Sequence, residues 1–291
     1  MLRIEVVNPE CNQLGEGPLW DLAEQALYWI DSYGPAVYRI DSQGRRTSWA
    51  LPEHVGSIAL REQGGIICSL RSGFHALDVE TGKVTLVAQA APENPRTRIN
   101  DGKVDRQGRF VAGTMDYEER DPLCALYRLD PDLSVTQLDD GIICSNGPCW
   151  SLDGTTLYFA DTTKRLIYAY DYDPRNGATS NKRIFADFAA HDLLGYPDGA
   201  TVDAEGYLWS CEVYRGRLVR FRPDGTLDRV VGLPVDSATS LIFGGPNLDV
   251  AYVTSMARPI GGKPPREKEA GMLFAVYGLG VKGVPEPRFA G

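Results

Sequence analysis

An all-β fold is what the sequence predicts: a six-bladed β-propeller of four-stranded antiparallel blades, closed into a ring by the N-terminal strand. Three observations carry this expectation. The first is a repeated segment. Ser145-Asn146-Gly147-Pro148-Cys149-Trp150, the acidic turn at Asp153-Gly154 and then Thr156-Leu157-Tyr158-Phe159-Ala160-Asp161 are rewritten elsewhere as Pro197-Asp198-Gly199-Ala200-Thr201-Val202 before Tyr207-Leu208-Trp209-Ser210, and as Gly15-Glu16-Gly17-Pro18-Leu19-Trp20 before Ala26-Leu27-Tyr28-Trp29-Ile30-Asp31. The second is spacing. Aligned on the small residue, the copies fall at Gly17, Gly56, Gly102, Gly147, Gly199 and Ser240, with gaps of 39, 46, 45, 52 and 41 residues. Units of about 40 to 50 residues with several short strands each are the mark of stacked blades around a channel. The third is composition: 43% hydrophobic and 10% aromatic residues can fill the interfaces between blades, while 31 Gly and 19 Pro supply turns.

Each element follows from that frame. The repeat covers nearly all of residues 1–291 and leaves no linker, so one closed domain is expected. Leu2 to Val7 is a strand that precedes the first repeat, and the last unit lacks strands at its C-terminal end; pairing the two removes two open sheet edges. In the first blade the strands run over Pro18 to Trp20, Ala26 to Asp31, Ala36 to Ile40 and Thr47 to Leu51, with turns at Asp21 to Gln25 and Asp41 to Gly44. In the second blade Val55 stands where other blades carry a polar residue, so this blade adds little chemistry. Extra length belongs to connections, notably Tyr172 to Asn181 and Pro259 to Gly271, the second a candidate lid.

Composition also excludes. A formal charge of -9 repels nucleic acid and anionic membrane alike, and the Lys263 to Lys268 cluster is broken by Pro264, Pro265 and Glu267. The N-terminus carries no signal-peptide core, and no run of about 18 apolar residues occurs, so a cytoplasmic location is the default. The six cysteines are scattered, without zinc spacing, and read as free thiols. Only His54, His75 and His191 could act as imidazole bases, and no nucleophile elbow, His-Glu-x-x-His or phosphate loop is present. Gly278-Leu279-Gly280-Val281-Lys282-Gly283 matches a dinucleotide fingerprint in letters only, since too little chain follows for the helix and strand that such a site needs.

Residues at equal positions in the repeat lie at equal height around the ring. The residue before each aligned small one is Glu16, Val55, Asp101, Asn146, Asp198 and Thr239. Any one could be an ordinary turn residue, because Asn-Gly and Asp-Gly are common turn dipeptides. Recurrence argues otherwise: carboxylates and an amide that converge on one channel mouth repel unless a cation lies among them. Oxygen donors of this kind suit a hard divalent ion, Ca²⁺, Mg²⁺ or Mn²⁺, with Zn²⁺ also compatible.

These residues and their neighbours resemble the SMP-30/gluconolactonase/LRE family of regucalcin-like sugar lactonases. The resemblance runs through Gly15-Glu16-Gly17-Pro18-Leu19-Trp20, Arg98-Ile99-Asn100-Asp101-Gly102-Lys103-Val104-Asp105, Ala112-Gly113-Thr114-Met115, Ser145-Asn146-Gly147, Pro197-Asp198-Gly199 and Leu233-Pro234-Val235 with Thr239-Ser240. It implies one divalent cation held by Glu16, Asn146 and Asp198, and substrate contacts from Arg98, Asn100 and Glu118. It puts the substrate contact at Asn100, one residue before the Asp101 that strict phase selects. The implied reaction is metal-assisted opening of a sugar lactone to its aldonic acid, with Asp198 or Asp101 as base. The partner is then a small-molecule lactone, and a monomer or weak homo-oligomer suffices. Two rivals stand beside this reading: a metal-dependent esterase for phosphotriesters or non-sugar lactones, and a non-catalytic calcium-binding propeller.

Overall fold

The computed structural model describes residues 1–90, 94–259 and 262–291, and it contains six four-stranded antiparallel sheets. The first blade is Gly15–Asp21, Ala26–Asp31, Ala36–Asp41 and Arg46–Ala50, close to the expected bounds except that its inner strand begins three residues earlier. The inner strands of the next four blades are Val55–Leu60, Thr97–Val104, Ser145–Trp150 and Tyr196–Val202. The sixth blade takes Ala238–Gly244, Val250–Ser255 and Leu273–Tyr277 from the C-terminal part of the chain. Its fourth strand is the N-terminal Arg3–Asn8, paired Arg3 to Tyr277 and Ile4 to Val276. The closure expected from Leu2 to Val7 is therefore present, shifted by one residue.

Burial explains the architecture. Inner strands such as Ser145–Trp150 are buried throughout, whereas the outer strand Val135–Ile142 of the neighbouring blade is mostly open to solvent. The apolar core lies between blades. Trp209, Cys211 and Leu218 of blade five join Leu241, Phe243, Phe274 and Val276 of blade six, and Cys149, Tyr158 and Ala160 of blade four meet Ala200, Val202 and Phe221 of blade five. No blade buries its two faces alone, which is why the repeat must close on itself.

The expected Tyr172 to Asn181 connection is a six-residue turn over 173–178, flanked by Leu166–Tyr172 and by Thr179–Asp187, which is nine residues long. The extra length of that unit is shared by its long outer strand and the chain that follows. Of the candidate lid Pro259 to Gly271, residues 260 and 261 lie outside the described residues.

The glycine-rich C-terminal tail is more than a loop end. It crosses the face where the inner strands finish: Gly283 N–H donates to the Leu248 carbonyl, Ala204 N–H to that of Lys282, and Phe289 bridges to Arg61. Phe289 is fully buried against Phe110 and Ala59, and Arg288 pairs with Asp21. Gly283 fits because a Cβ there would stand 2.1 Å from that of Phe243.

Candidate active site

The site begins with a distortion of the backbone. Each inner strand shifts register against its neighbour at or beside the repeat-phase residue: between Glu16 and Leu19, Val55 and Ser57, Ile99 and Gly102, Asn146 and Cys149, Pro197 and Ala200, and Ala238 and Leu241. A β-bulge re-aims a side chain that would otherwise alternate into a sheet face. Here it occurs six times at one level of the ring, so the phase residues sit within strands rather than in turns before them. The small residue that follows is required in two ways. Gly17 and Gly147 have positive φ, +50° and +56°, and at Gly199 a Cβ would lie 2.4 Å from the Ser240 Cβ of the next inner strand.

All the phase residues are buried, but they do different work. Val55 is apolar core, as expected for blade two. Thr239 is a tie: its hydroxyl donates to the Gly15 carbonyl at 2.6 Å and fixes the backbone beside Glu16. Asp101 is also tied, with one oxygen accepting from Gly102 N–H and the other from Gly147 N–H, each at 2.8 Å, which joins blade three to the residue after Asn146.

Glu16 and Asp198 differ from these. Burial, and after it the charges of Asp198 and Asp101, push the Glu16 carboxyl well above its usual range; burial, Asp101 and Glu119 do the same to Asp198. Among the described residues, the hydrogen bonds that offset this come from the backbone N–H of the following glycine. Two buried carboxyls, both with raised pKa and with Asp198 acting on Glu16, fit an oxygen-seeking dication. Among the described residues no group of three His, Cys, Asp or Glu side chains could hold a metal by itself, so such a set needs the Asn146 amide oxygen as its third member.

Asn146 is held by a chain of hydrogen bonds across three blades. Arg98 donates to Asn100 Oδ1 at 2.7 Å, Asn100 Nδ2 to Asn146 Oδ1 at 2.9 Å, and Asn146 Nδ2 to Thr162 Oγ1 at 2.8 Å. Thr162 then donates to the carbonyl of Pro197, next to Asp198, at 2.8 Å. The structure thus brings Arg98, Asn100 and Asn146 into one network that ends on the Pro197 carbonyl, one residue before Asp198. Thr162 is absent from the sequence-based set because it lies outside the phase position, in the turn after Thr156–Asp161.

Glu118 is not part of that network. Its carboxylate is exposed and pairs with Arg120, with Arg96 at 3.7 Å. The adjacent Glu119, in a left-handed conformation at φ 50°, is the acid that senses the site. It keeps surface in solvent, yet desolvation raises its pKa against the pull of Arg98 and Arg258, and its charge in turn raises Asp198. Around it the mouth is aromatic and cationic. Arg258 stacks on Tyr33 at 3.6 Å, Tyr33 lies 4.5 Å from the His54 ring, and His54 Nδ1 is 3.0 Å from the Tyr117 hydroxyl. Burial and the charges of Arg98, Arg258 and Arg71 hold the His54 pKa down.

A family model described as the SMP-30/Gluconolactonase/LRE-like region matches residues 14–257, the span that carries this whole arrangement. The chain belongs to the SMP-30/gluconolactonase/LRE family. Along its full length it is 38% identical to regucalcin of Xenopus laevis, of which it covers 99%. Among solved structures, it superposes on a luciferin-regenerating enzyme with a TM-score of 0.92 at 29% identity, covering all of both chains. It also superposes on the calcium-binding protein regucalcin of Agrobacterium tumefaciens with a TM-score of 0.90 at 28% identity, over 98% of this chain and 96% of that one. Membership of the SMP-30/gluconolactonase/LRE family associates the chain with lactonase activity. Among the described residues no helix is long and apolar enough to cross a membrane.

Proposed function

We propose that the protein hydrolyses a sugar lactone to the corresponding aldonic acid, with one divalent cation held by Glu16, Asn146 and Asp198. The observation that carries this reading is the hydrogen-bonded path from Arg98 through Asn100 to Asn146, which puts donors for a polyhydroxylated ring on one network with Asn146, a phase residue like the two buried carboxyls of raised pKa, Glu16 and Asp198. A bound dication supplies Lewis acidity toward the lactone carbonyl and lowers the pKa of water. The chain's own residues do the rest. Arg98 is 3% exposed, its Nε has no hydrogen-bond partner among the described residues, and it offers a charged donor to a ring oxygen or hydroxyl. Asn100 orients the amide of Asn146. Asp198 takes the proton from the attacking water in preference to Asp101, because both Asp101 oxygens are already engaged by backbone N–H groups. Family membership supports the lactone, and the oxygen-only donor set supports Ca²⁺, Mg²⁺ or Mn²⁺, with Zn²⁺ also compatible.

The test is metal-stripped protein assayed against a panel of aldonolactones with each divalent ion restored singly. Turnover that returns with the ion supports the reading. Faster hydrolysis of hydrophobic esters or phosphotriesters than of any polyol lactone sinks it in favour of a general metal esterase, and a protein that binds the ion without hydrolysing any ester is a binding propeller.

A further inference from the structure

In a chain of net charge -9, the rim of the mouth gathers positive charge around one aromatic ring. That ring is Tyr33, half-buried in the turn after the second strand of blade one. The half-buried Arg258, from blade six, places its guanidinium 3.6 Å from the centre of the ring, and the guanidinium of Arg98, from blade three, lies 5.8 Å from the same point. Neighbouring backbone holds both in place. Ala257 N–H donates to the carbonyls of Asn12 and Gln13 at the entry to blade one, and Met256 bridges to Leu14, which fixes the chain on the N-terminal side of Arg258. Arg98 commits Nη1 to the Ile99 carbonyl at 3.0 Å and to Asn100 Oδ1, while its buried Nε is without a partner among the described residues. Among those residues neither guanidinium forms an ion pair, whereas the nearby Arg96 is engaged by Asp116 and Asp121. The acids that face the two arginines are Glu119, whose carboxyl both pull down against burial, and Glu53, which counters Arg98, Arg258 and Arg71 at His54.

Two guanidinium groups drawn to one ring repel each other, and stacking on the ring offsets that only in part. An anion that touches both removes the repulsion, and the flat fork of each guanidinium matches a carboxylate or a phosphate. We propose that Arg258 is a specificity-determining residue: clamped on Tyr33, it joins Arg98 in holding an anionic group that the lactone itself carries, a carboxylate or a phosphate monoester remote from the ester that is opened. The inference rests on the lactonase reading above and narrows its substrate from polyol lactones in general to lactones of acidic sugars. A neutral polyol leaves the paired arginines without their anion, so the rim discriminates against it. The same charges, set in an otherwise acidic molecule, draw an anionic substrate to the mouth.

The experiment measures kcat/KM of the full-length wild type and Arg258→Gln on three lactones: gluconolactone, its terminal phosphate ester, and glucarolactone, which ends in a carboxylate. The expected result is a wild-type preference of about tenfold or more for an anionic lactone over the neutral one, lost in Arg258→Gln while the neutral lactone changes by less than about twofold. Whether the phosphate or the carboxylate is preferred identifies the anion. A wild type that opens gluconolactone as efficiently as both anionic lactones overturns the role, as does an Arg258→Gln that slows all three equally and so marks Arg258 as a pin between blades six and one; both outcomes leave the lactonase reading intact. If the wild type opens no lactone, the lactonase reading fails and calorimetric titration with inorganic phosphate and with glucarate decides the anion site. Binding that weakens about tenfold in Arg258→Gln supports it, and binding that is absent from the wild type or equal in the two proteins overturns it. Should Arg258→Gln not fold, Arg258→Lys is put through the same series: without the flat fork it should lose about threefold or more on the preferred anionic lactone alone, and an equal effect on all three overturns the role.

Discussion

At the scale of single residues, the site is governed by how each buried carboxylate is held: Asp101 by two backbone N–H groups, Glu16 and Asp198 by the N–H of the following glycine. Asp198→Ala removes a member of the proposed cation set and the proposed base together, so it should lose both bound metal and at least about a hundredfold in kcat/KM; metal content after dialysis and turnover on the best lactone check this. The raised pKa values of Glu16 and Asp198 also set a pH dependence. A carboxyl whose folded pKa exceeds its unfolded one binds its proton more tightly in the folded state, so stability is gained as pH falls through the folded value. Metal-free protein should therefore melt higher at about pH 5 than at about pH 7, and Asp198→Asn should melt higher than wild type at neutral pH when both are metal-free. A melting temperature that falls between those two pH values sinks the idea. At the mouth, Glu119→Gln should lower kcat/KM about tenfold, as expected for loss of a charged hydrogen-bond partner, whereas the solvated ion pairs of Glu118 make Glu118→Gln worth about twofold at most. Equal effects would return Glu118 to the substrate.

At the scale of elements, the bulge and its small residue are one device. An alanine at 147 must hold φ near +56° while its Cβ meets the Asp198 carbonyl at 2.9 Å and the Ala200 Cβ at 2.8 Å. Strain and overpacking together should cost about 2 to 4 kcal/mol, and because Gly147 N–H also binds Asp101, the loss should appear in metal affinity as well as in urea unfolding. The ends of the second strands show a related economy. Asp31 accepts from Gln13 and Leu14, Asp161 from Ile143 and Cys144, and Glu212 from Gly195, so in blades one, four and five an acid at one strand end anchors the loop that leads into the inner strand. Acids at such positions were visible in the repeat as Asp31 and Asp161. Their role was not, because it depends on backbone donors from a segment some 17 residues upstream.

At the scale of the whole molecule, the ring is fastened twice. The N-terminal strand completes blade six, and the C-terminal tail binds the finishing ends of inner strands around the opposite face. Removing residues 1–8 exposes the edge of Leu273–Tyr277 and should lower the melting temperature of the entire protein in one transition, since no blade has a private core. An unchanged melting temperature for that truncation would show that the remaining contacts close the ring unaided.

The sequence by itself determined the ring. A period of about 40 to 50 residues, alternating strands and a polar residue before a small one are local patterns, and a closed six-fold stack is the arrangement that buries them. It also marked Glu16, Asn146, Asp198 and Asn100 by phase and by family resemblance. Tertiary structure alone decided what these residues can do, since hydrogen-bond partners come from other blades. Asp101 proves to be tied through Gly147, Thr162 bridges Asn146 to the strand of Asp198, and Glu119 rather than Glu118 is the mouth acid whose charge acts on Asp198. The tail that brings Glu286 to Lys103 carries no periodic signal, for its fit depends on side chains contributed by every part of the ring it crosses.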